Sequence, residues 1–273
     1  MIKLMNLTMP LGYTEAQLCT AVSKKLRIPA EDIIEWKYQK KSYDARKKPR
    51  IFVVLTLILR VKREQMLLKR FVKDNNVQQY EPYYYEMPTC SPCTLRPVVV
   101  GFGPAGMFAA YLLAKAGLKP LVLERGQSVE LRQKAVASFR ENGVLHTESN
   151  IQFGEGGAGT FSDGKLTTGI NDFRIRFVLE TFVQFGAPEE ILYLAKPHIG
   201  TDYLVTVVRN MRNAIQDMGG EICFQSRLEN LVQKNGCLTA IDYQNQDVSK
   251  EIPAQQCILA IGHSARDTFS MLY

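Results

Sequence analysis

The chain has 273 residues, of which 46% are hydrophobic and 22% are charged, a balance that excludes an intrinsically disordered protein. Its longest apolar run, around Ile51–Leu59, is too short for a bilayer, which takes about 20 residues. Six cysteines without regular spacing do not form a disulfide pattern, and the N-terminus lacks the features of a signal peptide. The sequence therefore predicts a cytoplasmic protein with no membrane partner.

Charge is distributed unevenly along the chain. Residues 1–88 carry 17 Lys and Arg against 9 Asp and Glu, whereas residues 89–273 carry 17 against 18. The net charge of +7 thus comes from the N-terminal segment alone.

Residues 1–88 predict a small α+β domain. Alternating apolar residues and a Thr14 cap give, in order, a strand at 2–9, a helix to Leu26, strands near 34–39 and 50–61, a helix at 64–73 and a strand at 77–85. This order, β-α-β-β-α-β, is typical of a ferredoxin-like domain. Residues 89–96, which follow, predict a linker.

Residues 97–273 predict an α/β domain of the Rossmann-like type. The segment "PVVV" predicts a strand, Met107–Ala116 a helix and "PLVLE" a second strand. Further helices are predicted at 128–142, 172–185 and 202–218, strands at 221–226 and 256–261, and a hairpin turning at Asn235-Gly236.

The segment "VVVGFGPAG" has the pattern of a dinucleotide-binding loop. Gly101 allows a tight turn, Gly103 lets a pyrophosphate approach the backbone, and Gly106 lets helix and strand pack closely. Glu124 ends the second strand, where a carboxylate accepts hydrogen bonds from a ribose. The alternative is a tight strand–helix turn without a ligand.

A second glycine-rich segment, "FGEGGAGTFSDGKL", begins at Phe153. A nicotinamide-binding domain does not require it, whereas the longer FAD molecule is held by more than one loop. Gly154, Gly156, Gly157 and Gly159 predict backbone N–H groups that face a ligand, and Ser162, Asp163 and Lys165 add polar groups. The alternative is a flexible surface loop.

These segments, with "LVLERG", "KPHIGTD", "LAIGHSARDTFSML" and "SYDARKKP", resemble a family of FAD-dependent dehydrogenases with a flavin fold of the glutathione-reductase type. The resemblance implies FAD as the cofactor and NAD(P)H as an electron donor. It implies cofactor contacts at Gly101, Gly103, Pro104, Ala105, Gly106, Glu124, Arg125, the Gly154–Lys165 loop and Gly262. Because members of that family are longer, we expect the FAD-binding domain to be incomplete at its C-terminus and this chain alone to bind FAD weakly.

His263 and Arg266 follow the last strand, which the resemblance directs towards the flavin. They are the candidates for a proton donor and an anion clamp; the alternative is hydrogen bonding within a turn. Cys90 and Cys93 form a CxxC in the linker. Three interpretations remain open: two unpaired thiols, a redox-active pair, or half of a zinc site that lacks a second Cys/His pair. No metal-binding constellation is evident.

The segment Lys37–Arg50 contains seven basic residues interleaved with Trp36, Tyr38 and Tyr43. Basic side chains neutralise phosphates and aromatic rings stack on bases, so RNA is a candidate partner; a solvated basic face is the alternative. The sequence thus favours an FAD-dependent oxidoreductase, with an RNA-binding flavoprotein and an inactive fragment that keeps a partial nucleotide cradle as the alternatives.

Overall fold

The computed structural model describes residues 1–46, 49–162, 164, 166 and 168–273. They form two compact units, each made of several chain segments. The first contains Met1–Tyr85, Leu166–Thr181 and Pro188–His198, and the second contains Glu86–Lys165, Phe182–Ala187 and Ile199–Tyr273. The domain boundaries predicted from the sequence, 1–88, 89–96 and 97–273, stay a prediction.

The first unit contains a four-stranded antiparallel sheet. Its elements are β1 (Ile2–Pro10), α1 (Glu15–Leu26), a 3-10 helix (Ala30–Asp32), β2 (Ile33–Asp44), β3 (Phe52–Val61), α2 (Glu64–Arg70) and β4 (Val77–Gln79). The strand order is β2-β3-β1-β4, with each neighbouring pair antiparallel. The predicted ferredoxin-like order of elements is confirmed.

Local chemistry explains two features of this unit. Thr14 and Gln17 form a reciprocal capping box at the start of α1, because each side chain accepts a hydrogen bond from the backbone N–H of the other. In β1 the register shifts between Leu4 and Leu7, and Asn6 there has φ 56°. This bulge keeps both leucines on the buried face, where they join the core of the unit.

The elements of the rest of the chain are β5 (Val98–Val100), α3 (Pro104–Lys115), β6 (Leu121–Leu123), α4 (Val129–Asn142), a 3-10 helix (Ala158–Phe161), α5 (Arg174–Gln184), a 3-10 helix (Glu189–Leu192), α6 (Thr201–Asp217), β7 (Glu221–Cys223), β8 (Ser226–Lys234), β9 (Cys237–Asn245), β10 (Val248–Pro253), β11 (Cys257–Leu259) and α7 (Arg266–Leu272).

The second unit contains a parallel sheet with the strand order β11-β5-β6-β7 and an antiparallel sheet with the order β10-β9-β8. The parallel sheet, with α3 connecting β5 to β6, is Rossmann-like, as predicted. The hairpin of β8 and β9 turns at Asn235 and Gly236, which both have positive φ, as a two-residue turn of this type requires.

Several elements differ from the sequence prediction. β2 continues to Asp44, beyond the predicted end near residue 39, and β7 ends at Cys223, before the predicted residue 226. β4 ends at Gln79 instead of continuing to Tyr85, in a segment where Pro82 has no N–H to donate to a ladder. β10 was not predicted, because its sequence VSKEIP is mostly exposed and lacks the alternation of a half-buried strand. Within the described part of the chain, no helix is long and apolar enough to cross a membrane.

Candidate functional site

The loop after β5 enters α3 without a side-chain cap. Gly103 is the N-cap residue, Pro104 is the first helical residue, and no side chain caps the helix. The first N–H groups of a helix have no partner within it, and Pro104 has none to offer, so Gly103, Ala105 and Gly106 provide the donors here. Pro104 and Ala105 are exposed. This end of α3 therefore presents N–H groups without partners in the helix, one of them on the exposed Ala105, and the positive end of a helix dipole, which suit a phosphate.

The three glycines of the loop differ in their surroundings. Gly101 has φ 94°, and a Cβ there would collide with the carbonyl oxygen of Ala260 beyond β11. A Cβ on Gly106 would collide with the carbonyl oxygen of Gly101. At Gly103 a Cβ would meet only the Cα of Gly157, at 3.7 Å. Packing therefore requires Gly101 and Gly106, whereas Gly103 keeps a surface of backbone open.

Glu124 holds this loop from the end of β6. It is 4% exposed; one carboxylate oxygen accepts from the N–H of Phe102 at 2.7 Å and the other from the N–H of Gly126 at 2.8 Å. A carboxylate oxygen can accept two hydrogen bonds, so capacity for a ribose hydroxyl is left. The ribose contact stays a prediction, and the structure adds a role in fixing the loop.

The second glycine-rich segment packs directly on the first loop. The N–H of Gly156 donates to the carbonyl of Phe102 at 2.8 Å, and a Cβ on Gly157 would lie 3.2 Å from the Cα of Gly103. A Cβ on Gly126 would lie 2.5 Å from the Cα of Gly154. Gly157 thus allows close contact between the two loops, whereas a Cβ on Gly154 would collide with the Arg132 side chain and one on Gly156 with the side chains of Thr160 and Val208. The sequence alone did not indicate these contacts.

The remaining predicted cofactor residues differ in the space around them and in their hydrogen bonds. A Cβ on Gly159 would have open space around it, as would one on Gly262, which has φ 70°. The Ser162 hydroxyl donates to the carbonyl of Gly159 at 3.4 Å. Asp163 and Lys165 lie outside the described residues.

The side chain of Arg125, a predicted cofactor contact, pairs with other side chains of the protein. Its guanidinium pairs with Glu148 at 2.9 Å and with Asp267 at 2.8 Å, and lies over the ring of Phe153. Although burial opposes the charge, these two carboxylates raise the pKa of Arg125 above its ordinary value. A role for Arg125 towards the cofactor stays a prediction.

His263 and Arg266 are exposed at the start of α7. The His263 ring lies 3.3 Å from the Ser264 hydroxyl, and the backbone N–H of Arg266 donates to the carbonyl of Ser264. Their proposed catalytic roles stay predictions. Cys90 and Cys93 are free thiols, and the Cys93 sulfur lies 3.6 Å from the side-chain oxygen of Gln256. Groups of three or more His, Cys, Asp and Glu suited to a metal are absent from the described residues.

Arg132, which the sequence analysis missed, organises the second loop. This α4 side chain is fully buried, and its guanidinium donates to five carbonyl oxygens, those of Asn150, Ile151, Gly154, Glu155 and Gly157, at 2.7–3.3 Å. Burial lowers the pKa of Arg132 to about 10, which leaves it charged at neutral pH. An arginine among exposed residues of an amphipathic helix gave no signal of this role.

Glu155, between the glycines of the loop, is also fully buried. Its Oε2 accepts from the N–H of Val129, the first residue of α4, and from Arg212 of α6, each at 2.7 Å, whereas its Oε1 has no partner. Burial raises the pKa of Glu155 to about 7, against the opposing effects of these two donors. Arg212 also lowers the pKa of Glu130 to about 2. Glu155 thus replaces Ser128 as the cap of α4, since the Ser128 side chain makes no capping bond.

Two domain families match parts of this chain, and a relative matches its whole length. Residues 99–147 match the NAD(P)-binding Rossmann-like domain, and residues 1–60 match a domain of unknown function, DUF8436. An uncharacterised protein of Clostridium beijerinckii is 45% identical over all 273 residues, which cover 100% of this chain and 50% of that protein. The chain therefore spans about half the length of this relative.

Two solved structures resemble the chain more distantly. THI4 of Thermovibrio ammonificans has a TM-score of 0.42 and 19% identity over 64% of this chain and 60% of its own. The myxobacterial halogenase CndH, described as a variant of FAD-dependent halogenases, has a TM-score of 0.39 and 14% identity over 62% of this chain and 37% of its own. Likenesses this distant carry no argument about what the chain binds.

The contacts of Glu124 lead to a prediction. Glu124→Ala is expected to weaken FAD binding by about 10- to 150-fold, because one charge-assisted hydrogen bond to the adenosine ribose is lost. ADP, which contains the same ribose and a pyrophosphate, should lose affinity by a similar factor in isothermal titration calorimetry. Glu141→Ala, an exposed change in α4, serves as the control. ADP affinity that stays constant while the melting temperature falls would leave Glu124 with the structural role alone.

Proposed function

We propose that this chain forms the dinucleotide-binding part of a flavin-dependent oxidoreductase of the dehydrogenase type, which holds FAD non-covalently and uses NADH or NADPH as electron donor. The observation that carries the proposal is the contact between two glycine-rich loops. The Gly156 N–H donates to the Phe102 carbonyl at 2.8 Å, which places the second loop beside the uncapped end of α3.

The second glycine-rich loop supports FAD over a nicotinamide cofactor alone. The match to an NAD(P)-binding Rossmann-like domain over residues 99–147 supports a dinucleotide in general. One glycine loop at a helix start suffices for the pyrophosphate of such a ligand. A second loop fixed beside it by Arg132 and Glu155 extends the binding surface beyond the pyrophosphate, as the longer FAD molecule requires.

Different residues of the chain would bind different parts of FAD. The N–H groups of Gly103, Ala105 and Gly106 would hold the pyrophosphate, and Glu124 would hold the adenosine ribose. His263 and Arg266 are exposed beyond β11, the strand that pairs with β5, and would supply a proton and an anion contact at the reacting end. Bound FAD would supply the hydride chemistry, with the protein contributing position and electrostatics.

Titration of the purified chain with FAD, FMN and NAD⁺, followed by flavin fluorescence and calorimetry, tests the proposal. Gly103→Val should weaken FAD binding at least about tenfold, because the added side chain covers the helix N–H groups that receive a phosphate. The melting temperature should change little, since a Cβ there meets only one atom, at 3.7 Å.

Gly169→Val is the matched control, because a Cβ at Gly169 also has open space around it. Binding of NAD⁺ without FAD would reject the flavin, and binding of neither would identify an inactive nucleotide cradle. FAD affinity unaffected by Gly103→Val would place the cofactor elsewhere.

A further inference from the structure

A small cavity lies in the first unit, where the turn after β1 meets β2 and β3. Its volume is about 250 Å³, and it is lined by Leu11, Gly12, Tyr13, Glu15, Tyr38, Lys41, Tyr43 and Val53. Sites that enclose a whole drug-sized ligand measure about 300–1,000 Å³. The cavity is therefore suited to one ring or one small group of a larger molecule.

Aromatic surface is available at this cavity. Tyr43 is 60% exposed and Leu11 is 52% exposed, although both have large apolar surfaces. Tyr38 is fixed by ring contacts with Trp36 and Tyr193. A planar ring that entered the cavity would stack against the fixed ring of Tyr38 and the exposed ring of Tyr43. Such stacking tolerates every nucleobase, because each base has a π face.

The polar groups of the cavity include a donor and a cation. The hydroxyls of Tyr13 and Tyr38 are 2.7 Å apart, so one donates to the other and the second proton is left for a ligand. Burial and this hydrogen bond raise the pKa of Tyr38, which keeps its hydroxyl protonated. The Lys41 ammonium lies 5.9 Å from the centre of the Tyr38 ring and forms none of the ion pairs found among the described residues. It can receive a phosphate.

The backbone at this place is already paired. The N–H of Lys41 donates to the carbonyl of Tyr193 at 2.6 Å, and its carbonyl accepts from the N–H of Ala195 at 2.9 Å. A peptide that added to the edge of β2 here would need those same groups. The occupant is therefore recognised by ring stacking and charge.

The positive charge of the N-terminal segment favours a polyanion as the ligand. Residues 1–88 carry 17 basic against 9 acidic side chains, and Arg50, which precedes the cavity-lining Val53 in sequence, is exposed. Lys37 pairs with Glu35 and Arg46 pairs with Asp44, so these two cations add little to the positive charge that attracts a polyanion. A polyanion is attracted by such an excess, and each phosphate it places beside a lysine releases counterions.

We propose that this cavity binds one nucleotide of single-stranded RNA, with the base against Tyr38 and Tyr43 and a phosphate at Lys41. The base occupies the ring-sized space, and the Tyr13–Tyr38 pair donates its remaining O–H to the base edge. Glu15 accepts from an amino or ring N–H group. A neighbouring nucleotide runs past Arg50. All residues that line this cavity belong to the first unit.

Fluorescence anisotropy of a labelled single-stranded oligoadenylate or oligouridylate with the full chain tests the proposal. Tyr43→Ala should weaken binding about 5- to 150-fold, the effect of losing one base–aromatic stack, whereas Tyr43→Phe keeps the ring and should keep the affinity. Lys41→Ala should weaken binding and lower the slope of log affinity against log salt by about 1. Lys69→Ala, an exposed lysine of α2, removes the same charge elsewhere and should leave binding unchanged.

Several results would overturn the proposal. Equal losses from Lys41→Ala and Lys69→Ala, with no loss from Tyr43→Ala, would reveal only a basic surface. AMP or UMP bound as tightly as the oligonucleotide would assign the cavity to a free nucleotide, and competition by excess FAD would assign the RNA to the other unit. The absence of binding to either oligonucleotide would reject the site.

Discussion

Arg132→Ala is expected to lower the free energy of unfolding by about 3–5 kcal/mol and to abolish FAD binding. The five carbonyl oxygens that accept from Arg132 belong to residues 150–157, and the side chain is fully buried. Alanine would leave these five oxygens without their charged donor, and the loop would lose the group that fixes its shape. Urea denaturation measures the first effect and flavin fluorescence the second.

Two further variants separate charge from geometry at this position. Arg132→Lys retains the positive charge, but an ammonium has three donors and no planar fork, so it cannot serve all five carbonyls. It should recover only part of the stability. Lys134→Ala removes an exposed cation from the same helix and should have little effect. If Arg132→Ala unfolded at the same urea concentration as Lys134→Ala, the loop would be held by other contacts.

The stability of the wild-type chain should fall as the pH rises from about 5 to about 8, by about 3 kcal/mol more than that of Glu155→Gln. In the folded chain, burial raises the pKa of Glu155 from 4.5 to about 7. Between these values the folded state keeps a proton that the unfolded state has released. The stabilisation is complete below about pH 4.5 and is lost as the pH rises through about 7.

Urea denaturation across this pH range, with Glu155→Gln and Glu141→Gln beside the wild type, measures the effect. Glutamine keeps the shape of Glu155 and can still accept from Val129, but it does not titrate. Glu130 does not interfere, because Arg212 lowers its pKa to about 2, and its contribution is lost only as the pH falls towards that value. Parallel pH profiles for all three proteins would mean that Glu155 stays ionised in the folded chain.

Local patterns in the sequence predicted most of the elements. Periodicity and turn chemistry act over a few residues, so the capping box at Thr14 and the two-residue turn at Asn235-Gly236 follow from the residues present. The fingerprint Gly101–Gly106 identified the strand, the turn and the helix start, because packing leaves no room for a side chain at Gly101 or Gly106. The short extent of β4 and the polar strand β10 were missed, since neither carries the pattern of a half-buried strand.

The sequence by itself determined the ferredoxin-like order of the first unit, the dinucleotide-binding loop and the position of Glu124. Only the tertiary structure decided that the second glycine segment packs on the first loop and that Arg132, Glu155 and Arg212 hold it. These contacts join residues 18–57 positions apart. Whether a charged side chain is buried depends on the elements that pack around it. Neither the residue type nor the periodicity of its own helix specifies those elements.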